Sequence, residues 1–238
     1  MRQRTMWLLA ALLVVGCTST NGEKEQEVVV KDEQSESSGG EQASSAGQRA
    51  DPDEPVQPDV GEGLAAATFA GGCFWCMEPP FEDLEGVKSV VSGYCGGKEK
   101  DPSYDQVAGG ETGHAETVRI TYDPDKISYE KLLKVFWRSH DPTTDDRQFA
   151  DVGSQYRPVI FYHTERQKKL AEESKQRLAD EGPFDEPIVT AIEPASTFWK
   201  AEAYHQDYYK KNPDRYKSYY RGSGRKKFLE QIWGEQSK

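Results

Sequence analysis

Gly71-Gly72-Cys73-Phe74-Trp75-Cys76-Met77-Glu78-Pro79-Pro80-Phe81 is the stretch on which the reading of the chain turns. Before it runs Leu64-Ala65-Ala66-Ala67-Thr68-Phe69-Ala70, an apolar segment of strand length. Two glycines then break the strand and let another backbone or a substrate come close. Cys73 stands at the turn, and the residues after it read as the first turn of a helix. A cysteine at a helix N-terminus sees unpaired N–H groups and the positive end of the dipole. Both favour the thiolate and lower the pKa from about 8.5. Phe74 and Trp75 are large aromatics where a turn more often carries small or polar residues, which suggests an apolar lip around a reactive sulfur. A buried structural cysteine beside two core aromatics is the alternative. Strand, Gly-Gly, Cys, two aromatics and a second Cys together shift the balance towards function.

Upstream of this stretch the chain changes character twice. Arg2 and Arg4 precede an apolar run at 6–15, ten residues long and too short to span a bilayer. The run ends in Leu13-Val14-Val15-Gly16-Cys17, which resembles the lipobox of bacterial lipoproteins. Residues 1–17 are therefore expected to be a lipoprotein signal peptide, with lipid on Cys17. An ordinary signal peptide with an incidental cysteine is the alternative. Residues 18–62 hold twelve acids against three bases and almost no large apolar side chains outside Val28-Val29-Val30. Such a segment cannot bury enough surface to offset its ordering entropy, and it reads as a disordered acidic linker. The domain is then 63–238, long enough for one real core. Of the net charge of −11, the domain carries 29 acids and 25 bases with no basic stripe. That argues against nucleic acid as a partner.

Downstream, 86–94 is a β-like run closed by Cys95-Gly96-Gly97. Residues 98–113, rich in Gly, Asp and Pro, read as a long loop containing Tyr104. His114 to Tyr122 alternates as a strand, with Glu116 on the same face as Val118, Ile120 and Tyr122. A carboxyl there is either desolvated and kept protonated, or sits at the sheet rim with its head in water. Ser128 can cap a helix burying Leu132, Leu133, Val135 and Phe136. A polar loop at 143–153, a strand at 158–162, a helix from Thr164 to about 181 and a strand at 187–193 follow. From Phe198 the chain is crowded with aromatics and reads as a short helix, then irregular chain wrapped over the domain. This order predicts an α+β two-layer sandwich with a mixed, mostly antiparallel sheet.

Four stretches together resemble the A-type peptide methionine sulfoxide reductases. They are Gly72-Cys73-Phe74-Trp75, Gly93-Tyr94-x-Gly96-Gly97, Thr112-Gly113-His114-Ala115-Glu116 and Gly153-Ser154-Gln155-Tyr156-Arg157. Asp141-Pro142 and Lys211-Asn212-Pro213 also match, so the likeness spans roughly 64–216. It implies a ferredoxin-like split β-α-β core and reduction of the S epimer of methionine sulfoxide, free or in proteins. It implies Cys73 as nucleophile, Glu116 as proton donor to the sulfoxide oxygen, and Tyr104 and Tyr156 as hydrogen-bond partners of that oxygen. Asp151 belongs to the same cluster, and Phe74 and Trp75 cradle the substrate methyl. A Cys73 sulfenic acid results, and a second thiol must resolve it.

The chain departs from many family members in having no cysteine near its C-terminus. Cys76, three residues on, is the favoured resolving thiol, because Cys-x-x-Cys at a helix start is a redox spacing. Cys95 is the alternative. No cofactor is expected; the external reductant would be thioredoxin or a thioredoxin-like protein. A monomer is expected, anchored by Cys17 on the exported side of a bacterial envelope membrane. Two rivals compete: a thioredoxin-like oxidoreductase built on Cys73-Phe74-Trp75-Cys76, and a zinc site from Cys73, Cys76, Cys95 and His114.

Overall fold

The computed structural model describes residues 58–234. The signal peptide, Cys17 and most of the acidic linker lie outside the described residues.

The apolar segment before the glycines is strand β1 (Ala65–Ala70), and it lies near the middle of a six-stranded sheet. The helices α1 (Phe74–Met77) and α2 (Pro79–Glu82) follow at once, then strand β2 (Val87–Cys95). Helix α3 (Tyr104–Ala108), strand β3 (Ala115–Tyr122) and helix α4 (Tyr129–Trp137) come next. The remaining strands are β4 (Arg147–Gln148), β5 (Asp151–Val152), β6 (Val159–Tyr162), β7 (Ala191–Pro194) and β8 (Trp199–Lys200). Helix α5 (Glu165–Glu181) connects β6 to β7, and α6 (Tyr208–Lys211), α7 (Pro213–Gly222) and α8 (Arg225–Trp233) end the chain. The sheet order is β7-β6-β1-β3-β2-β8. Only β6 and β7 run parallel, joined by the α5 crossover; the other four pairs are antiparallel. This is the mixed, mostly antiparallel α+β sheet that the element order predicts.

The larger core cluster lies between one sheet face and the helices. Phe69 of β1 stacks on Phe136 of α4 at 4.8 Å and on Phe81 of α2 at 5.7 Å between centroids. Both helices are pinned by these rings, each worth about 1.5–3 kcal/mol of burial. Ser128 caps α4 as the sequence suggests, accepting from the Lys131 amide. The predicted buried face holds, with Leu132, Leu133 and Phe136 inside and Val135 at its margin. Thr164 caps α5, and Gln167 of its first turn donates to the Ala66 carbonyl of β1 at 2.6 Å. The smaller cluster joins Ala70, Cys95, Ala115, Val159, Phe161 and Ala195. Because strand side chains alternate, Tyr94 joins the larger cluster and Cys95 the smaller.

Four expectations about local structure need correction. The loop at 98–113 contains α3, opened by a capping box in which Ser103 and Gln106 satisfy each other's backbone amides. The polar loop at 143–153 folds into the β4–β5 hairpin. The strand expected at 187–193 begins only at Ala191, because Val189 is held to the Pro142 carbonyl instead of to β6. The aromatic C-terminus is one short strand and three helices, not one helix and irregular chain. Helix α7 has no fully buried residue, so its tyrosines show no apolar stripe to read.

Candidate active site

Gly72 makes the turn between β1 and α1. Its φ is +83°, and an added Cβ would come within 2.5 Å of Gln148 and 2.8 Å of the Arg225 guanidinium. A side chain is excluded by both conformation and space. Cys73 follows as the N-cap of α1, 6% exposed, and Cys76 one turn on is 2% exposed. Each thiol shifts the ionisation of the other. Burial opposes ionisation of both. In Cys76 the Cys73 partner and the Arg225 charge overcome it and hold the thiol below its ordinary value. In Cys73 burial, the Cys76 partner and the Asp151 charge together push the thiol well up. The sequence reading placed the lowered pKa on Cys73 itself. Helix α1 has only four residues, too short a dipole to outweigh desolvation at Cys73.

Strand β3 brings Glu116 to the same turn. Phe69 pairs with Val118, so the chain leaving β1 passes beside Glu116, and the Phe74 amide donates to Glu116 Oε2 at 3.0 Å. Glu116 is 2% exposed, covered rather than at a wet rim. Burial, and then the neighbouring Cys73 charge, push its carboxyl well above the usual range, against the pull of the Phe74 hydrogen bond. It is held as a neutral acid beside a thiol pair.

Tyr104 opens α3 and Tyr156 closes the 3-10 turn Ser154–Tyr156; both are half-buried. Burial is the main cause that pushes Tyr104 up to about 12 and raises Tyr156 as well, so both stay phenols and donors. Asp151, in β5, accepts from the Tyr219 hydroxyl, and burial raises its carboxyl against that bond and Arg225.

The two aromatics part company. Phe74 is 1% exposed and packs under the site against Tyr94 and His205, so it is core and not lip. Trp75 is the half-buried wall, stacked on Tyr208 at 3.8 Å with Tyr219 edge-on at 6.1 Å. Its indole N–H donates to His205 Nδ1 at 3.0 Å. Glu202 accepts from the Tyr94 hydroxyl and from the Tyr104 amide, setting the start of α3. Cys95 lies apart, fully buried at the end of β2 on the other sheet face, with its thiol on Ser196. Among the described residues no group of three or more His, Cys, Asp and Glu side chains could hold a metal ion.

Sequence reasoning missed Tyr219, Arg225, Glu202 and His205, all from the C-terminal segment. The tyrosine crowding there was the one available signal, and it gave no hint that α7 and α8 return to the thiols.

A family model described as peptide methionine sulfoxide reductase matches residues 65–237. The chain is 55% identical over 171 residues to peptide methionine sulfoxide reductase MsrA 2 of Staphylococcus aureus, spanning 72% of this chain and 97% of that one. It is 56% identical over 168 residues to MsrA of Bacillus subtilis, 71% of this chain and 95% of that one. Among solved structures, reduced Mxr1 from Saccharomyces cerevisiae superposes with a TM-score of 0.61 at 34% identity, covering 67% and 90% of the two chains. Methionine sulfoxide reductase A of Corynebacterium diphtheriae gives 0.57 at 31%, covering 65% and 77%. The chain belongs to the peptide methionine sulfoxide reductase family, as an A-type member. Its reaction is the reduction of methionine sulfoxide.

Proposed function

We propose that this chain reduces the S epimer of methionine sulfoxide, free and in proteins, through a Cys73 sulfenic acid that Cys76 resolves. The carrying observation is the buried Glu116 carboxyl, bonded to the amide one residue past Cys73. A sulfoxide oxygen leaves sulfur only when protonated, so a neutral acid beside a thiol pair suits this chemistry. The steps balance. Cys76 takes the Cys73 proton, and the Cys73 sulfur attacks the sulfoxide sulfur. Glu116 protonates the oxygen, while the Tyr104 and Tyr156 phenols donate to it. The thioether leaves, and Cys73 holds the oxygen as S–OH. The Cys76 sulfur then attacks Cys73, its proton and the hydroxyl depart as water, and a 73–76 disulfide remains. Glu116 recovers its proton from solvent. Trp75, with Phe74 beneath it, selects a methyl by shape.

A thioredoxin-like dithiol would return the disulfide to the thiols, because an exported domain cannot count on the cytosolic glutathione pool. Lipid on Cys17 would tether the domain to an envelope membrane, where it would repair oxidised exported proteins. Peptide mapping after exposure to each resolved epimer, without reductant, tests the reading. The S epimer should give a 73–76 crosslink and the R epimer none. Equal reaction of both epimers would contradict the stereochemistry. A 73–95 crosslink with Cys76 free would make Cys95 the resolving residue. Cys17→Ser should release the protein from membranes at unchanged specific activity.

A further inference from the structure

Arg225 opens α8 and is 1% exposed, the largest fully buried side chain among the described residues. Its partners are unusual for a buried cation. The guanidinium donates to the carbonyls of Ser139 and Gly71, the latter at 3.0 Å, and reaches Met77 Sδ at 3.8 Å. Its Cζ lies 4.8 Å from the centre of the Phe149 ring. Among the described residues no carboxylate pairs with it. Carbonyls and a ring face satisfy the N–H groups but supply no unit charge, and a buried cation without an anion costs several kcal/mol.

The guanidinium also brackets one turn. It touches Gly71 and Gly72 before Cys73 and Met77 after Cys76, and it requires Gly72 to lack a Cβ. The groups facing Cys76 are Cys73, the carboxyls of Glu116 and Asp151, and the phenols of Tyr216, Tyr219 and Tyr220. Arg225 is the one cation acting among them. Glu116 is a neutral acid, and Asp151, which accepts from the Tyr219 hydroxyl, is a carboxyl on which Arg225 also acts. The thiol pair is the other acidic group within reach of this cation, and the one whose proton count changes on oxidation.

We propose that Arg225 is the fixed counter-ion of the Cys73–Cys76 pair, a positioning residue whose buried guanidinium is set against the thiol turn. The inference deepens the catalytic reading above and rests on it for its purpose. The pair is then armed for attack at neutral pH, and Cys76 can accept the Cys73 proton. A second consequence is thermodynamic. Forming the disulfide removes one acidic partner of the buried Arg225 charge, so the reduced form is favoured and the disulfide is the stronger oxidant.

Two measurements that need no sulfoxide test this. The first is the pH dependence of thiol alkylation, mapped to Cys76, with Cys95 as an internal buried control. Arg225→Met should raise the midpoint by about 1–3 units, the effect expected of one nearby opposite charge. Arg225→Lys, which keeps the charge, should restore much of the shift. The second is the equilibrium of the 73–76 disulfide with dithiothreitol. In Arg225→Met it should move towards disulfide by at least about tenfold, equivalent to about 30 mV. A merely structural arginine would not move the potential and would not be rescued by lysine. A folded Arg225→Met variant whose midpoint and potential match wild type overturns the proposal. If that variant does not fold, wild type alone decides, because a midpoint at or above about 8.5 overturns it. A shifted midpoint in a protein that leaves methionine sulfoxide untouched would instead sink the catalytic reading and leave the counter-ion standing.

Discussion

The described residues hold two thiol environments, one at the glycine turn and one within the smaller core cluster. Cys73 and Cys76 sit at a glycine turn among Glu116, Asp151, Tyr219 and Arg225. Cys95 sits among Ala70, Ala115, Val159, Phe161 and Ala195, with Ser196 as its polar partner. All three are buried and free, so burial does not distinguish them. What differs is charge and hydrogen bonding. Around Cys95 burial dominates and raises the thiol. Around the pair, the neighbouring thiol and a guanidinium work against the same penalty for one sulfur. Reactivity at a buried cysteine is thus set by the ionisable groups that fold around it.

The sharpest way to break this contrast is to exchange the cysteines one at a time. Cys73→Ser should abolish sulfoxide reduction, because a hydroxyl near neutral pH is a far weaker nucleophile than a thiolate. Cys95→Ser should keep turnover with a thioredoxin system. Cys76→Ser should stop after releasing about one methionine per enzyme, with Cys73 left as sulfenic acid or overoxidised. Turnover in Cys76→Ser that is lost on adding Cys95→Ser would erase the difference between the two environments.

The next effect is smaller. Glu116→Gln keeps the shape and the Phe74 hydrogen bond but has no proton to donate. Sulfenic acid formation in a single-turnover assay should fall by about 10²–10⁴-fold. A rate within threefold of wild type would show that the acid beside the pair has no part in the chemistry.

The smallest expected effect concerns stability. Glu78 ends α1 on the thiol side, 1% exposed, accepting from the Asp207 amide. Burial, aided by the Glu82 and Asp207 charges, raises it from 4.5 to about 7 against that bond. A carboxyl raised in the fold binds its proton more tightly there than in the unfolded chain. Its contribution is therefore present below about 4.5 and lost as pH rises towards 7, about 3 kcal/mol in all. Glu78→Gln should be the more stable form above that window, and the difference should vanish below it. Urea unfolding at pH values on either side measures it, and parallel pH dependences would refute the assignment.

Much of this was legible in the chain itself. Residues 64–73 announce strand, turn and cysteine, because apolar run, paired glycines and helix start are local signals. Glu116 was legible as an odd carboxylate in an alternating strand, though not whether it lay wet or buried. That depends on chain more than forty residues away packing its Phe74 amide against it. The capping box at Ser103 and Gln106 was readable but lost in the Gly, Asp and Pro around it. Arg225 was not legible at all. Nothing in a surface-like Gly-Ser-Gly-Arg sequence says that the side chain turns inward to Gly71, 154 residues earlier. The Cys73 pKa failed for a related reason: the local rule considered one helix end and could not include charges delivered from distant chain.

That distance has a consequence for how the protein is made. Synthesis delivers the N-terminal residues first, so the thiol turn emerges long before its cover. The bonds that close the pocket span 98 residues from Glu202 to Tyr104, 130 from Trp75 to His205 and 154 from Arg225 to Gly71. Each loop closure this long is slow, and each must wait until its later residue has been made. A nascent chain therefore presents Cys73 and Cys76 uncovered until its last few residues arrive, and a ribosome that stops before Arg225 releases a sheet with its thiols open to any oxidant.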